Sequence, residues 1–258
     1  MSMFDQRSTA FLEEMGVGPL WLLRDAPADA PAPAPASAPA QASARVQAPA
    51  PAAAEPAPLV SDADAAIAAM DWDQLQAAIA ACTRCTICKG KRPVYGTGAR
   101  QATWLVAAGA CSAPDQEEGT PMAGDAGRLL ANMLGAVNLS RERDVYVTSL
   151  IKCRPTSANG GDRAPSAEEA RACRPYLERE LALTGAGTVL TLGQIAANAL
   201  QDKPLQEALA QSRGQVHAFQ GARLVATLHP GELLRRGADK ALAWADLCLA
   251  KSSDGRPG

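Results

Sequence analysis

Residues 145–200 read VYVTSLIKCRPTSANGGDRAPSAEEARACRPYLERELALTGAGTVLTLGQIAANAL. VYVTSLI (145–151) has the length and apolar, branched composition of a buried strand, and TVLTL (188–192) repeats it. SAEEARACRPYLERELAL (166–183) carries helix signals, with Ser166 as N-cap and Glu169 completing a capping box. Pro175 lies inside this helix and is expected to end or kink it, because its ring clashes with the preceding turn and it has no N–H to donate. GQIAANAL (193–200) reads as a further helix. Outward from this block, TWLVAAGA (103–110) and RLVATL (223–228) read as strands, and AGRLLANMLGAV (126–137) and LAWADLCLA (242–250) as helices. Strand then helix, repeated, gives an α/β fold with a mostly parallel sheet covered on both faces. In such a sheet a site is expected at the carboxyl ends of the strands.

The composition sets limits on what this fold does. The 258 residues, 47% of them apolar, suffice for one sizeable core. A formal net charge of -2 argues against a protein that lives by neutralising phosphates. Seven cysteines without a charged-then-apolar leader point to a reducing compartment, where thiols bind metal or stay free. No apolar stretch approaches the roughly 20 residues that span a bilayer, so a cytoplasmic protein with no membrane partner is expected.

Composition also divides the chain. Residues 26–60 are almost entirely Ala and Pro, with only Asp29, Arg45 and Glu55 charged, and are expected to form a disordered linker. Residues 61–251 have the periodicity of a folded domain, and 252–258 read as a frayed tail. Ahead of the linker, residues 1–25 contain FLEEMGVGPLWLLR (11–24), in which Phe11, Leu12, Met15, Leu20, Trp21 and Leu22 form a short apolar, partner-binding face.

The cysteines carry the chemistry. CTRCTIC supplies Cys82, Cys85 and Cys88 before the first strand, KCRP supplies Cys153 after the second, and ACRP supplies Cys173 in the following helix. Thiolates gathered beside one sheet edge suit either tetrahedral zinc or an iron-sulfur cluster, and spacing alone does not choose. Cys88 is able to substitute for a neighbour in the first group. Cys111 reads as a strand-end thiol and Cys248 as a core residue. Arg154, Arg163, Arg171 and Arg174, close to two of the cysteines, offer a local basic face. His217 reads as a surface residue.

In order along the chain, CTRC, GTPMAGDAGRLLANML, VYVTSLIKCRP, ACRPYLERELALTGAGTVLTLG and ATLHPGELLR resemble the iron-sulfur uracil-DNA glycosylases of family 4. The resemblance implies a three-layer α/β/α uracil-DNA glycosylase-like fold with a four-stranded parallel sheet. It places Cys82, Cys85, Cys153 and Cys173 on the four ligands of a [4Fe-4S] cluster. At the pocket positions the likeness fades. The family's pocket glutamate falls on Gly109, its stacking aromatic on Met122 and its base-reading asparagine on Ser149, with Cys111 and Ser112 at the motif's proline and second glycine. Only His229 keeps its family identity, and a hydrogen bond within its own loop is a competing role. A slip of register would bring Asp115, Glu117 or Glu118 in as a relocated acid, but AGRLL fixes the register only a few residues downstream.

LEEMGVGPLWLLRDAP resembles the N-terminal peptide of the psi subunit of bacterial DNA polymerase III. That likeness implies a peptide that binds the clamp-loader ATPase (tau or gamma) and a domain that holds the chi subunit and, through it, single-stranded DNA-binding protein. With the replaced pocket, it leads to the expectation of a non-catalytic psi-like clamp-loader subunit. The alternative is an active, divergent family 4 uracil-DNA glycosylase acting in base-excision repair.

Overall fold

The computed structural model describes residues 62–88 and 91–253. The apolar face at residues 11–22, the Ala/Pro linker and the last residues of the tail lie outside that range. Helices α1 (Asp62–Ala69) and α2 (Trp72–Ala80) lead in, followed by a 3-10 turn at Thr86–Cys88. Then come β1 (Thr97–Gly98), β2 (Trp104–Ala110), α3 (Ala113–Glu118), α4 (Gly124–Ala136), β3 (Val145–Ile151) and α5 (Ala167–Thr184). The chain continues through β4 (Thr188–Leu192), α6 (Gln194–Leu200), β5 (Val216–Phe219), β6 (Ala222–Thr227), α7 (Pro230–Arg235) and α8 (Lys240–Ser252).

The sheet order is β1-β3-β2-β4-β6-β5. The four central strands are parallel and are those read from the sequence. Two antiparallel edge strands extend the expected four-stranded sheet to six. β2 connects through α4 to β3 on one side, whereas the chain then crosses through α5 to β4 on the other. The crevice between the carboxyl ends of β2 and β4 is therefore the topological switch point, where α/β sheets take their ligands.

Alternation along each strand builds two cores. On β2, Leu105 and Ala107 face Leu177 and Leu181 of α5 and Leu200 of α6. Trp104, Val106 and Ala108 face the opposite way, onto Leu130 and Leu134 of α4 and Leu247 of α8. All of these are fully or nearly fully buried, and each large side chain contributes about 1.5–3 kcal/mol by leaving water. A smaller cluster packs Ile67, Leu75 and Ile79 of α1 and α2 against Tyr176 of α5.

Ser166 and Glu169 form the expected capping box. Pro175, however, does not end the helix, and α5 continues through it. The missing hydrogen bond is offset by burial on both sides of the proline, with Cys173, Tyr176, Leu177, Glu180 and Leu181 all inside.

One polar group sits within this apolar packing. Lys152, the residue after β3, donates to Glu180 Oε2 of α5 and to Thr148 Oγ1, each at 2.6 Å. Thr148 in turn donates to the same Glu180 oxygen at 2.8 Å. Both charged side chains are 2% exposed. Removing one partner strands the other charge in the core. Glu180→Ala is therefore expected to lower unfolding free energy by about 3–5 kcal/mol, read as a fall in the urea midpoint; a midpoint within error of the parent would contradict it.

Candidate active site and thiol cluster

A pocket of about 270 Å³ opens at the switch point. The segment after β2 contributes Cys111, Ser112 and Asp115, and the approach to α4 contributes Met122, Ala123 and Ala126. The connection after β3 adds Pro155 and Arg163, α6 adds Ile195, and the turn after β6 adds His229.

Two carboxylates line this pocket: Asp162, which is exposed and paired with Arg154, and Asp115, which is buried. Its Oδ2 accepts from Ser112 N at 2.9 Å, as the N3 member of a capping box on α3, and its Oδ1 accepts from Ala123 N at 2.7 Å. The two bonds tie the start of α3 to the segment that follows it. The carboxylate is 4% exposed. The pocket thus holds a buried acid a short step downstream of Gly109, the position to which the resemblance assigns the glutamate.

His229 caps α7. Its Nδ1 accepts from Gly231 N at 3.1 Å, which in a neutral imidazole leaves the proton on Nε2. Burial holds its pKa below the ordinary histidine value, with Glu232 and Asp115 opposing that shift. Two glycines make room for the ring. A Cβ on Gly193, whose φ is +82°, would lie 3.2 Å from His229 Cβ, and one on Gly231 would lie 3.1 Å from its Nδ1.

The remaining pocket positions read from the sequence divide. Met122 joins His229 in the lining. It holds a left-handed backbone at φ 56°, and its carbonyl oxygen would be 1.8 Å from a Cβ on Gly127, so only glycine fits there. Gly109 and Ser149 are not among the lining residues. A Cβ on Gly109 would meet Ile195 Cβ at 2.8 Å, so Ile195 holds the space that a side chain at 109 would need. Ser149, 1% exposed, pairs across the sheet with Ala108. Its Oγ completes no hydrogen bond, although it lies close enough to the Cys111 thiol to oppose that group's upward shift. Burial nevertheless pushes Cys111 up to about 12, so it is a neutral thiol, donating to Ile151 O at 3.2 Å and Lys152 O at 3.4 Å.

The expected basic face is largely neutralised. Arg154 pairs with Asp162, Arg163 makes a two-pronged pair with Glu169 at 2.6 and 2.8 Å, and Arg174 pairs with Glu178 and Asp202. Glu169 is thereby held at about 2, chiefly through the Arg163 hydrogen bond. His217 is half-buried, with Nε2 2.9 Å from Ser212 O. Cys248, expected in the core, is exposed on α8, since the inward face of that helix is taken by Ala243, Asp246, Leu247 and Ala250.

The thiols do converge. Cys85 Sγ lies 3.3 Å from Cys88 Sγ, which lies 3.9 Å from Cys82 Sγ. Cys153 and Cys173 are buried, and both interact electrostatically with Cys82 and Cys85. Burial first, and these neighbouring thiols after it, raise the Cys153 pKa; Cys173 is pushed up to about 11. Without a cation the buried group therefore stays protonated, and as thiolates its members would repel one another. That donor set fits a thiophilic, multiply charged metal centre. Among the described residues no three or more His, Cys, Asp or Glu side chains are placed to hold a metal ion as they stand.

The comparisons bear on this geometry. Residues 95–248 match the model of the uracil DNA glycosylase superfamily. A type-4 uracil-DNA glycosylase of Pyrobaculum aerophilum is 32% identical over 189 residues, spanning 70% of this chain and 93% of the relative. Type-4 enzymes of Archaeoglobus fulgidus and Thermotoga maritima are 30% and 29% identical, over 64% and 66% of this chain and 83% and 88% of theirs. These relatives overturn the expectation of a non-catalytic clamp-loader subunit: the long alignments are to glycosylases, whereas the psi likeness rested on a short peptide outside the described residues. Among the described residues no helix is long and apolar enough to cross a membrane.

Two outcomes follow from the close packing around the pocket. Gly109→Ala is expected to cost about 1–3 kcal/mol by overpacking, and adding Ile195→Ala should recover part of that loss; additive losses in a double-mutant cycle would contradict the contact. The second concerns pH. Because the folded pKa of His229 is depressed, the unfolded chain takes up its proton first. Its contribution to stability should be complete above about pH 6.5 and decline as pH falls below that value. His229→Gln should flatten this part of a urea-midpoint profile measured between about pH 8 and about pH 5.

Proposed function

Because the chain belongs to the uracil-DNA glycosylase superfamily, we propose that it is a hydrolase that excises uracil from DNA, of the type-4 kind. The observation that carries this reading is the switch-point pocket, in which a buried carboxylate, Asp115, and a neutral imidazole, His229, sit within electrostatic range.

Breaking a glycosidic bond gathers negative charge on the leaving base and positive charge on the sugar. His229 Nε2–H donates to the uracil oxygen where negative charge develops, and its fixed cap geometry means that little reorganisation is needed. Asp115 faces the sugar. Its carboxylate opposes the growing cation, and lone pairs left over from its two backbone bonds orient the attacking water. The water oxygen bonds to C1′ and sheds one proton to solvent, while the base departs with the electrons of the old bond and takes up one proton, so that one water is consumed. Extruding the base costs a few kcal/mol of stacking, which Met122 and Ile195 offset by apolar contact in place of a ring.

Cys82, Cys85, Cys153 and Cys173 would hold a [4Fe-4S] cluster. When bound, it would supply metal–thiolate cross-links between the segment after α2, the end of β3 and α5. The resemblance to iron-sulfur glycosylases favours a cluster over a single zinc ion, which four thiolates would also accept.

The test is a single-stranded oligonucleotide carrying one uracil, followed by alkali to cut at abasic sites. The wild-type chain should yield the cut product, and a matched oligonucleotide with thymine should not. His229→Ala and Asp115→Asn should each slow single-turnover excision by about 10²–10³-fold. Absence of product with the iron-loaded wild type would overturn the reading.

A further inference from the structure

The segment after α2 carries three thiols, although the ligand set proposed above takes only two from it. Cys88 is the surplus member, and it does not stand apart. It ends a 3-10 turn, in which residues three apart eclipse one another, so it comes to lie beside Cys85, at 3.3 Å between sulfurs. Cys82, three residues further back, is 3.9 Å away. Cys88 also interacts with Cys153, at the end of β3. Its thiol thus lies among three of the four proposed ligands. Two features hold it there: Ile87 is 3% exposed and packs into the core between α5 and the sheet, and Lys91 N donates to Cys88 O at 3.3 Å.

Resting on the cluster reading above, we propose that Cys88 is a reserve ligand, able to take the coordination position of Cys85 or of Cys82 when either is lost. Thiolate-for-thiolate exchange at one iron changes neither the charge nor the electron count of the centre. It requires only that the incoming sulfur reach the outgoing one's position, across the 3.3 Å to Cys85 or the 3.9 Å to Cys82. Cys88 is half-buried on the same segment as Cys82 and Cys85, whereas Cys153 and Cys173 are buried just after β3 and on α5.

The experiment is iron and acid-labile sulfide content, with visible absorption, after anaerobic purification of the full chain and four variants. Wild type and Cys88→Ser should both carry a full cluster. Cys85→Ser should keep more than half of that content, and Cys85→Ser with Cys88→Ser should lose at least nine-tenths of it, as should Cys173→Ser. Alkylation mapping supplies a second readout: Cys88 should be alkylated in the loaded wild type and protected in loaded Cys85→Ser. Loss of iron from Cys85→Ser as complete as from the double variant would overturn the proposal, as would loss from Cys88→Ser alone. If Cys85→Ser is insoluble, Cys82→Ser asks the same question; insolubility of both beside a soluble, loaded Cys88→Ser also counts against a reserve ligand. A wild-type chain without iron removes the cluster reading itself, and so is told apart from failure of the reserve role alone.

Discussion

The ion pair between Lys152 and Glu180 fixes α5 on the end of β3, and both functional regions hang from that junction. Lys152 is followed directly by Cys153, while Glu180 lies two turns along the helix that carries Cys173. Two buried charges held by three short hydrogen bonds allow one alignment of helix on strand, where apolar packing alone would tolerate sliding. The same junction begins the connection that brings Pro155 and Arg163 to the pocket rim. The thiol group and the pocket are therefore both built on one fixed corner of the fold.

Within the pocket, a glycine and an isoleucine have exchanged volume. At 109, where the resemblance places a glutamate, the backbone is bare and Ile195 from α6 packs down onto it. A buried carboxylate, Asp115, lies in the pocket wall, held by two backbone bonds. The result is a site whose apolar contact comes from flexible or branched side chains, Met122 and Ile195, and whose polar groups are held by backbone N–H donors. Rigidity has moved from an aromatic ring into the main chain.

Much of this was legible in the sequence. Four runs of branched residues gave the parallel strands within a residue of their ends, because strands buried on both faces must be almost wholly apolar. The edge strands were not legible: Thr97–Gly98 is too short for any periodicity, and Val216–Phe219 is half exposed and mixed in composition. Helix α5 outlasts Pro175 because tertiary burial outweighs one lost hydrogen bond, a term that no local reading contains. Asp115 did have a signal. Ser112-Ala-Pro-Asp115 has the spacing of a capping box, and an N3 acid beginning a helix straight after a central strand must point back at the strand's carboxyl end. His229 and Met122 were found from motif order, whereas the volume held by Ile195 depends on a helix placed by distant packing. The clamp-loader expectation gave a short apolar peptide more weight than a domain whose motifs run in order along most of the chain.

The bonds that position His229 and Asp115 are helix caps as well as pocket contacts. Each side chain satisfies a backbone N–H that would otherwise be orphaned at the start of α7 or α3. Selection on such residues acts twice. A mutation that removes either one is penalised during folding, before any ligand is met, so the polar character of the pocket is tied to the integrity of its helices.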